Sequence, residues 1–437
     1  VSEAAVGDAA VSEAAVSEAA RGAAAADDAA RARRALDAVW RMESARIVAS
    51  LAKLTGDFAL AEDLAQEALA DALAQWPASG VPANPGAWLT AVAKRTAIDH
   101  WRRRERLDER HRMLAHDLDE VQSDAWEPVG DDVLRLVFTA CHPVLAREAQ
   151  VALTLRVVAG LSSEEIARLF LVPVATVQQR IVRAKKTLAA ARVPFETPDP
   201  AEWPVRLSAV LAVVYLVFTE GYSATSGQRW MRPELAGEAL RLGRTLAALV
   251  PRESEVHALV ALMELQSSRF AARMGTDGRA VTLESQDRSR WDHGQIERGR
   301  TALARSDALG RGRGAYALQA AIAECHSVAA SVEQTDWERI VLLYEALGRL
   351  APNPVVELNR AVAVSMAIGP ASALLIVDRL QAEGALRGSP LVPSVRGELL
   401  ARLGRREEAR SELAAAESLA VNDVQRRALR EKREALG

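Results

Sequence analysis

The chain has 437 residues and a formal net charge of −3, with 4% aromatics and a preponderance of alanine and leucine. That length allows roughly two to four domains with ample core. The lack of long runs of Val, Ile, Thr and aromatics excludes a strand-rich protein and predicts an all-α fold, and the near-neutral balance means that any nucleic-acid binding rests on local segregation of charge.

In chain order, residues 1–36 open with Val-Ser-Glu-Ala-Ala repeated three times. Nothing bulky is there to bury, which predicts a low-complexity mobile tail. The start at Val1 and the excess of arginine over lysine fit a GC-rich bacterial gene, and no secretory signal is visible.

A first domain is expected over 37–115. Ile47, Leu51, Leu54 and Phe58 lead at helical spacing into Leu60, Leu64, Leu69 and Leu73. That second stretch carries Asp57, Glu62, Asp63, Glu67 and Asp71 without a cation, a face suited to a basic protein surface rather than to DNA. Pro77 to Gly86 reads as a loop, with Pro85 at a first helical position. The next helix runs from Ala87-Trp88-Leu89 to Trp101 and into Arg102-Arg103-Arg104. Tryptophans beside a basic helix and a loop suit stacking of unpaired bases; the other reading buries Trp88 and Trp101 in the core.

Residues 116–132 form an acidic linker. Over 133–193 the sequence predicts supporting helices, a stop at Gly160, then a helix-turn-helix. Ser162 with Glu165 three positions on is a capping box, and Pro173 breaks the first helix of the pair. In the second, Val177, Ile181, Ala184 and Leu188 form an apolar stripe, and Thr176, Gln178, Gln179, Arg180, Arg183, Lys185 and Lys186 lie off it. Between Val174 and Arg192 stand five cations and no acid. A helix docked in a major groove needs amides and guanidiniums for base edges and cations for phosphates. Neutralising that many phosphates implies a slope of log K against log salt of about −4.5.

The two cysteines, Cys141 and Cys325, suggest neither a disulfide framework nor a zinc site, and fit a reducing cytoplasm. Residues 194–205 are proline-rich and read as a stiff linker. The apolar run Leu207 to Phe218 is too short to cross a bilayer and predicts a buried helix. A helical extension is expected over 206–310, with helices near 205–219, 233–249 and 253–270. It includes a charged stretch with Asp277-Gly278 as a turn, a short extended piece at Val281 and Leu283, and Trp291. That stretch is either a docking surface or one well-bonded loop. Residues 311–437 read as paired helices, Trp337–Leu350 with Val355–Ala367, and Val395–Leu403 with Glu407–Leu419. Small residues such as Ala361, Ala401 and Ala409 let them pack closely, as in tetratricopeptide repeats (TPR).

This order of segments resembles the extracytoplasmic-function (ECF) sigma factors of bacterial RNA polymerase. Ala61-Glu62-Asp63-Leu64-Ala65-Gln66-Glu67-Ala68 is similar to the polymerase-binding segment of region 2. Pro85-Gly86-Ala87-Trp88-Leu89 through Lys94, Arg95 and Arg102-Arg103-Arg104 is similar to the segment that melts and reads the −10 element. Val174–Leu188 resembles the region 4 recognition helix that reads the −35 element, although glutamines at 178 and 179 replace a usual lysine and serine. The resemblance implies that Asp63, Gln66 and Glu67 face core RNA polymerase. It implies that Asn84, Trp88, Arg95, Arg102 and Arg103 meet −10 DNA, and that Thr176, Gln178, Gln179, Arg180, Arg183 and Lys186 meet −35 DNA. The long carboxyl-terminal half resembles the subgroup with a TPR-like regulatory extension, in which Asp277, Gly278 and Arg279 match a short regulatory motif and the array takes a protein or peptide ligand.

The implied protein is a cytoplasmic initiation factor with no cofactor, metal or catalytic residue and no membrane partner. A second reading is a helix-turn-helix activator with a TPR-like sensor domain. A third, an enzyme using Asp277, Glu284, Asp287, Asp292 or His293, finds no P-loop, dinucleotide fingerprint or metal-spaced ligands to support it.

Overall fold

The computed structural model describes the backbone of residues 4–105, 130–170, 172–222, 231–275, 281–310, 312–420 and 423–437. For residues 4–29, 101–105, 130, 131 and 168 the backbone alone is described. The fold is all-α, without a strand among the described residues. Two compact units divide it, residues 1–210 and 211–437.

The first unit begins with α1 (Ala4–Thr55), α2 (Phe58–Ser79) and α3 (Pro85–Glu105). The expected tail is helical from Ala4, in keeping with the high helix propensity of its alanines. Ala32 and Leu36 are buried, although both fall within the expected tail. Gly56 turns the chain at φ 64, and Asp57 caps α2 by accepting from the amides of Ala59 at 2.8 Å and Leu60 at 3.1 Å. Trp40, Ile47, Leu51, Leu64, Trp76, Leu89 and Ala93 make the core of the three helices. The expected loop from Pro77 is shorter: α2 continues through Pro77 to Ser79. The proline costs the helix one donor, to the carbonyl of the solvent-exposed Leu73.

Next come α4 (Gly130–Ala140), α5 (Arg147–Val157), α6 (Ser163–Phe170) and α7 (Val174–Ala190). Residues 106–115 of the expected first domain and 116–129 of the acidic linker lie outside the described residues, but the linker's end does not read as linker. Asp132 sits in α4 and pairs with Arg135 at 2.8 Å and with Lys53 of α1 at 3.5 Å. Cys141 is buried against the Thr154 hydroxyl at 3.3 Å, and burial pushes its thiol up to about 11. Residues 203–206 belong to the first unit as well: the Trp203 ring meets Phe138 at 5.0 Å and Arg206 donates to the Phe138 carbonyl.

Helix α8 (Trp203–Tyr222) has 20 residues, longer than the apolar run suggests and sufficient by length and composition to cross a bilayer. Leu207, Val210, Leu211, Val213, Val214, Val217 and Phe218 are nevertheless buried within the fold. The second unit continues with α9 (Pro233–Leu249), α10 (Ser254–Ser267), α11 (His293–Ala308) and α12 (Ala315–Val328). Six further helices stack in sequence: α13 (Trp337–Leu350), α14 (Pro354–Ala367), α15 (Pro370–Ala382), α16 (Leu391–Arg402), α17 (Arg406–Leu419) and α18 (Asp423–Glu434). Ala361, Ala373 and Ala409 are fully buried where neighbouring helices meet. Gly397 permits a close approach, since a Cβ there would stand 2.9 Å from Leu413.

Candidate nucleic-acid interface

The helix-turn-helix is built as its residues dictate. Ser162 and Glu165 cap each other: the Ser162 amide donates to the Glu165 carboxylate at 2.8 Å and the Glu165 amide to the Ser162 hydroxyl at 3.1 Å. Pro173 stands immediately before α7. Val177, Ile181, Ala184 and Leu188 are all buried, which fixes the rotation of α7 about its own axis. Gln178, Gln179, Arg183 and Lys186 are exposed as a result, and Thr176 and Arg180 are half-buried at the edges of that face. Two amides with a guanidinium and an ammonium make a surface for base edges and phosphates.

Lys185, between them in sequence, behaves differently. Its side chain is 14% exposed and its ammonium is bound by Glu62 and by Asp63, the latter at 2.7 Å. Burial works to lower its pKa, but the two carboxylates outweigh burial and hold it above the ordinary lysine value.

On α2, Asp63 and Glu67 are exposed and Gln66 is half-buried, so the three share one outward face. Glu62 does not join it. Its side chain is 5% exposed and is neutralised by Lys185 and by Arg156 of α5 at 3.2 Å. The acidic face is therefore smaller than the sequence suggests. Glu62 lies four residues after Phe58 and three before Ala65, both buried, so helical spacing already places it toward the core. The same rule marks Lys185, which follows Ile181 by four and precedes Leu188 by three.

At the start of α3, Asn84 is exposed and acts as a cap, accepting from the Ala87 amide at 3.1 Å. Trp88 is half-buried with its ring edge-on to the buried Trp76, centroids 5.5 Å apart. It combines the two readings drawn from sequence, one part anchored and one part open. Arg95 is exposed on α3. The side chains of Trp101, Arg102 and Arg103 lie outside the described residues.

Comparison with known families decides what this arrangement belongs to. Residues 40–107 match the model for Sigma-70 region 2, and residues 135–188 match Sigma-70, region 4. The chain carries both Sigma-70 regions and resembles the ECF sigma factors. Residues 206–307 of this sigma factor match a family of unknown function, DUF6596, in keeping with a long carboxyl-terminal extension. An uncharacterized protein of Rhizobium meliloti is 46% identical over 377 residues, covering 83% of this chain and 86% of that protein. The probable ECF RNA polymerase sigma factor SigI of Mycobacterium tuberculosis is 28% identical over 173 residues, 38% of this chain and 58% of SigI. The ECF RNA polymerase sigma-E factor of Haemophilus influenzae is 32% identical over 110 residues, 23% of this chain and 58% of its own length. No solved structure matches.

In the extension of this sigma factor, Asp277, Gly278 and Arg279 lie outside the described residues. The charged stretch that follows is well bonded. Asp287 accepts from the Ser289 amide and hydroxyl, and Asp292 caps α11. Arg288 donates to the carbonyls of His326 and Ala329 and lies over the buried Trp291 ring, 4.9 Å from its centroid. The short extended piece expected at Leu283 is a single 3-10 turn, Leu283–Ser285.

Proposed function

We propose that this sigma factor binds core RNA polymerase through the α2 face of Asp63, Gln66 and Glu67, and directs initiation at promoters with −10 and −35 elements. Region 4 reads −35 DNA with Thr176, Gln178, Gln179, Arg180, Arg183 and Lys186. Region 2 meets the melted −10 strand with Asn84, Trp88 and Arg95, and with Arg102 and Arg103 at the end of α3. Binding energy for the open strand, from stacking and backbone contacts, offsets the cost of unstacking, so no covalent step is needed.

The observation that carries this reading is the orientation of α7. Its buried apolar stripe turns Gln178, Gln179, Arg183 and Lys186 together toward solvent. The extension acts as the regulator. Leu342, Ile368 and Leu375 are 65%, 71% and 73% exposed on the helical array and suit a protein or peptide ligand.

The test is transcription in vitro with purified core polymerase, comparing the full chain, a chain ending at Val210, and Asp63→Arg in the full chain. The full chain is expected to give promoter-dependent transcripts, Asp63→Arg to lose polymerase association with its helix content intact, and the truncation to change the level of activity. A protein that shifts duplex DNA but never associates with the polymerase would instead be a helix-turn-helix activator.

A further inference from the structure

We infer that the acidic surface at Glu62 and Asp63 is an exchange surface. Lys185 of region 4 occupies it in the free protein, and a basic surface of the polymerase takes that place on binding. This rests on the reading above, that region 2 meets the polymerase through α2.

Three observations lead there. First, the Lys185 contact joins the two modules of the first unit at long sequence range, and its Glu62 side is buried. Glu62 is 5% and Lys185 14% exposed, with Arg156 completing the group from the region 4 side at 3.2 Å. Second, the contact does not stand alone. Arg41 of α1 pairs with Glu165 of α6 at 2.5 Å, and Gly160 lies so near α1 that a Cβ would meet the Trp40 carbonyl oxygen at 3.2 Å. Third, the Asp63 side chain is 66% exposed while it binds Lys185 at 2.7 Å. An incoming cation can therefore reach Asp63 from solvent before Lys185 leaves, with exposed Glu67 one turn on as a first point of contact.

The closed arrangement conflicts with the proposed task. Elements named −10 and −35 lie about 25 base pairs apart, roughly 85 Å along a duplex at about 3.4 Å per pair. Modules clasped by a 2.7 Å ion pair do not read both at once. The chain between Glu105 and Gly130 is long enough, at about 3.4 Å per residue, to let them part by a comparable distance. Parting returns Glu62 to solvent beside Asp63, so the surface offered to the polymerase gains a second carboxylate as the clasp opens. A fraction of the polymerase affinity is thereby spent on opening, as in any binding that selects a minor conformer.

The experiment uses the full chain. A carbodiimide, which joins an amine to a carboxylate only when they touch, is applied to the free protein and to protein preincubated with core polymerase, and linked peptides are identified by mass spectrometry. A link from Lys185 to Asp63 or Glu62 is expected in the free protein and is expected to disappear with polymerase. In parallel, Lys185→Gln is expected to bind core polymerase roughly tenfold more tightly than the parent chain, and Lys185→Arg to resemble the parent. Absence of the link in the free protein, its persistence in the polymerase complex, or equal affinities for parent and Lys185→Gln would each overturn the exchange while leaving the sigma assignment intact. Failure of every form to bind polymerase would remove the proposed function itself, and the exchange with it.

Discussion

Gly160 lies against Ser44 so closely that a Cβ built on the glycine would stand 2.6 Å from the serine Oγ. The glycine also has φ +71, a conformation that side chains with a Cβ adopt only with strain. Gly160→Ala is therefore expected to lower the stability of the first unit by about 2–4 kcal/mol, combining backbone strain with overpacking. Because the Ser44 Oγ is buried without a hydrogen-bond partner, Ser44→Ala alone should be neutral or slightly stabilising. It should also recover part of the loss when combined with Gly160→Ala. Urea unfolding of the four proteins checks both statements; additive effects would contradict the contact.

Glu62 and Asp63 are neighbours in sequence with opposite energetic standing. Glu62→Ala takes the buried carboxylate from Arg156 and leaves Lys185 with Asp63 alone, and should cost roughly 3 kcal/mol. Asp63→Ala removes one partner from a largely exposed position and should cost less than about 1 kcal/mol. Denaturant midpoints for the two variants separate a buried ion cluster from a surface pair.

On α7, the contacts sort by chemistry. Arg183→Ala should weaken promoter binding on all sequences and reduce the salt slope by about 1, as expected for a lost phosphate contact. Gln179→Ala should change preference at one position of the −35 element, since a glutamine amide pairs with a base edge. Binding titrations against a set of single-base variants at several salt concentrations distinguish the two. Equal losses on every sequence for both substitutions would reverse the assignment.

His326 gives the second unit a dependence on pH. Burial, together with Arg269 and Arg288, pushes its imidazole down to about 4 from an ordinary 6.5. Between those values the unfolded chain binds the proton and the folded chain does not, so stability rises with pH. The contribution is intact above about 6.5 and is lost as pH falls toward 4, by roughly 3 kcal/mol in all. Thermal unfolding of the parent and His326→Gln between pH 7 and pH 4.5 checks it, with the variant expected to show the flatter profile.

What could be read from the sequence was whatever a helix repeats. The stripe Val177, Ile181, Ala184 and Leu188, the capping box at Ser162 and Glu165, the stop at Gly160 and the helix start at Pro85 are local patterns, and the structure contains each of them. Position outweighs charge at Glu62 and Lys185, which both border apolar stripes and are largely withdrawn from solvent. Their pairing spans 123 residues, and no local pattern specifies it. Helix α15 and helix α18 lie outside the helix pairs expected from the sequence, although Pro370 stands at the start of the first. Pro77 does not break α2, because a proline near the end of a helix with its missing partner toward water is tolerated.

Glu255 supplies the first turn of a helix that it does not belong to. From α10 its carboxylate accepts from the amides of Tyr316 at 2.9 Å and Ala317 at 3.2 Å, across 61 and 62 residues. Gly314 leaves room for it, as a Cβ there would fall 2.3 Å from the carboxyl carbon. The start of α12 thus has no cap of its own and must wait for α10 to be in place. A ribosome that has emitted α10 through α12 holds a chain whose later helix is finished by an earlier one, so order of synthesis and order of assembly coincide in this half of the molecule.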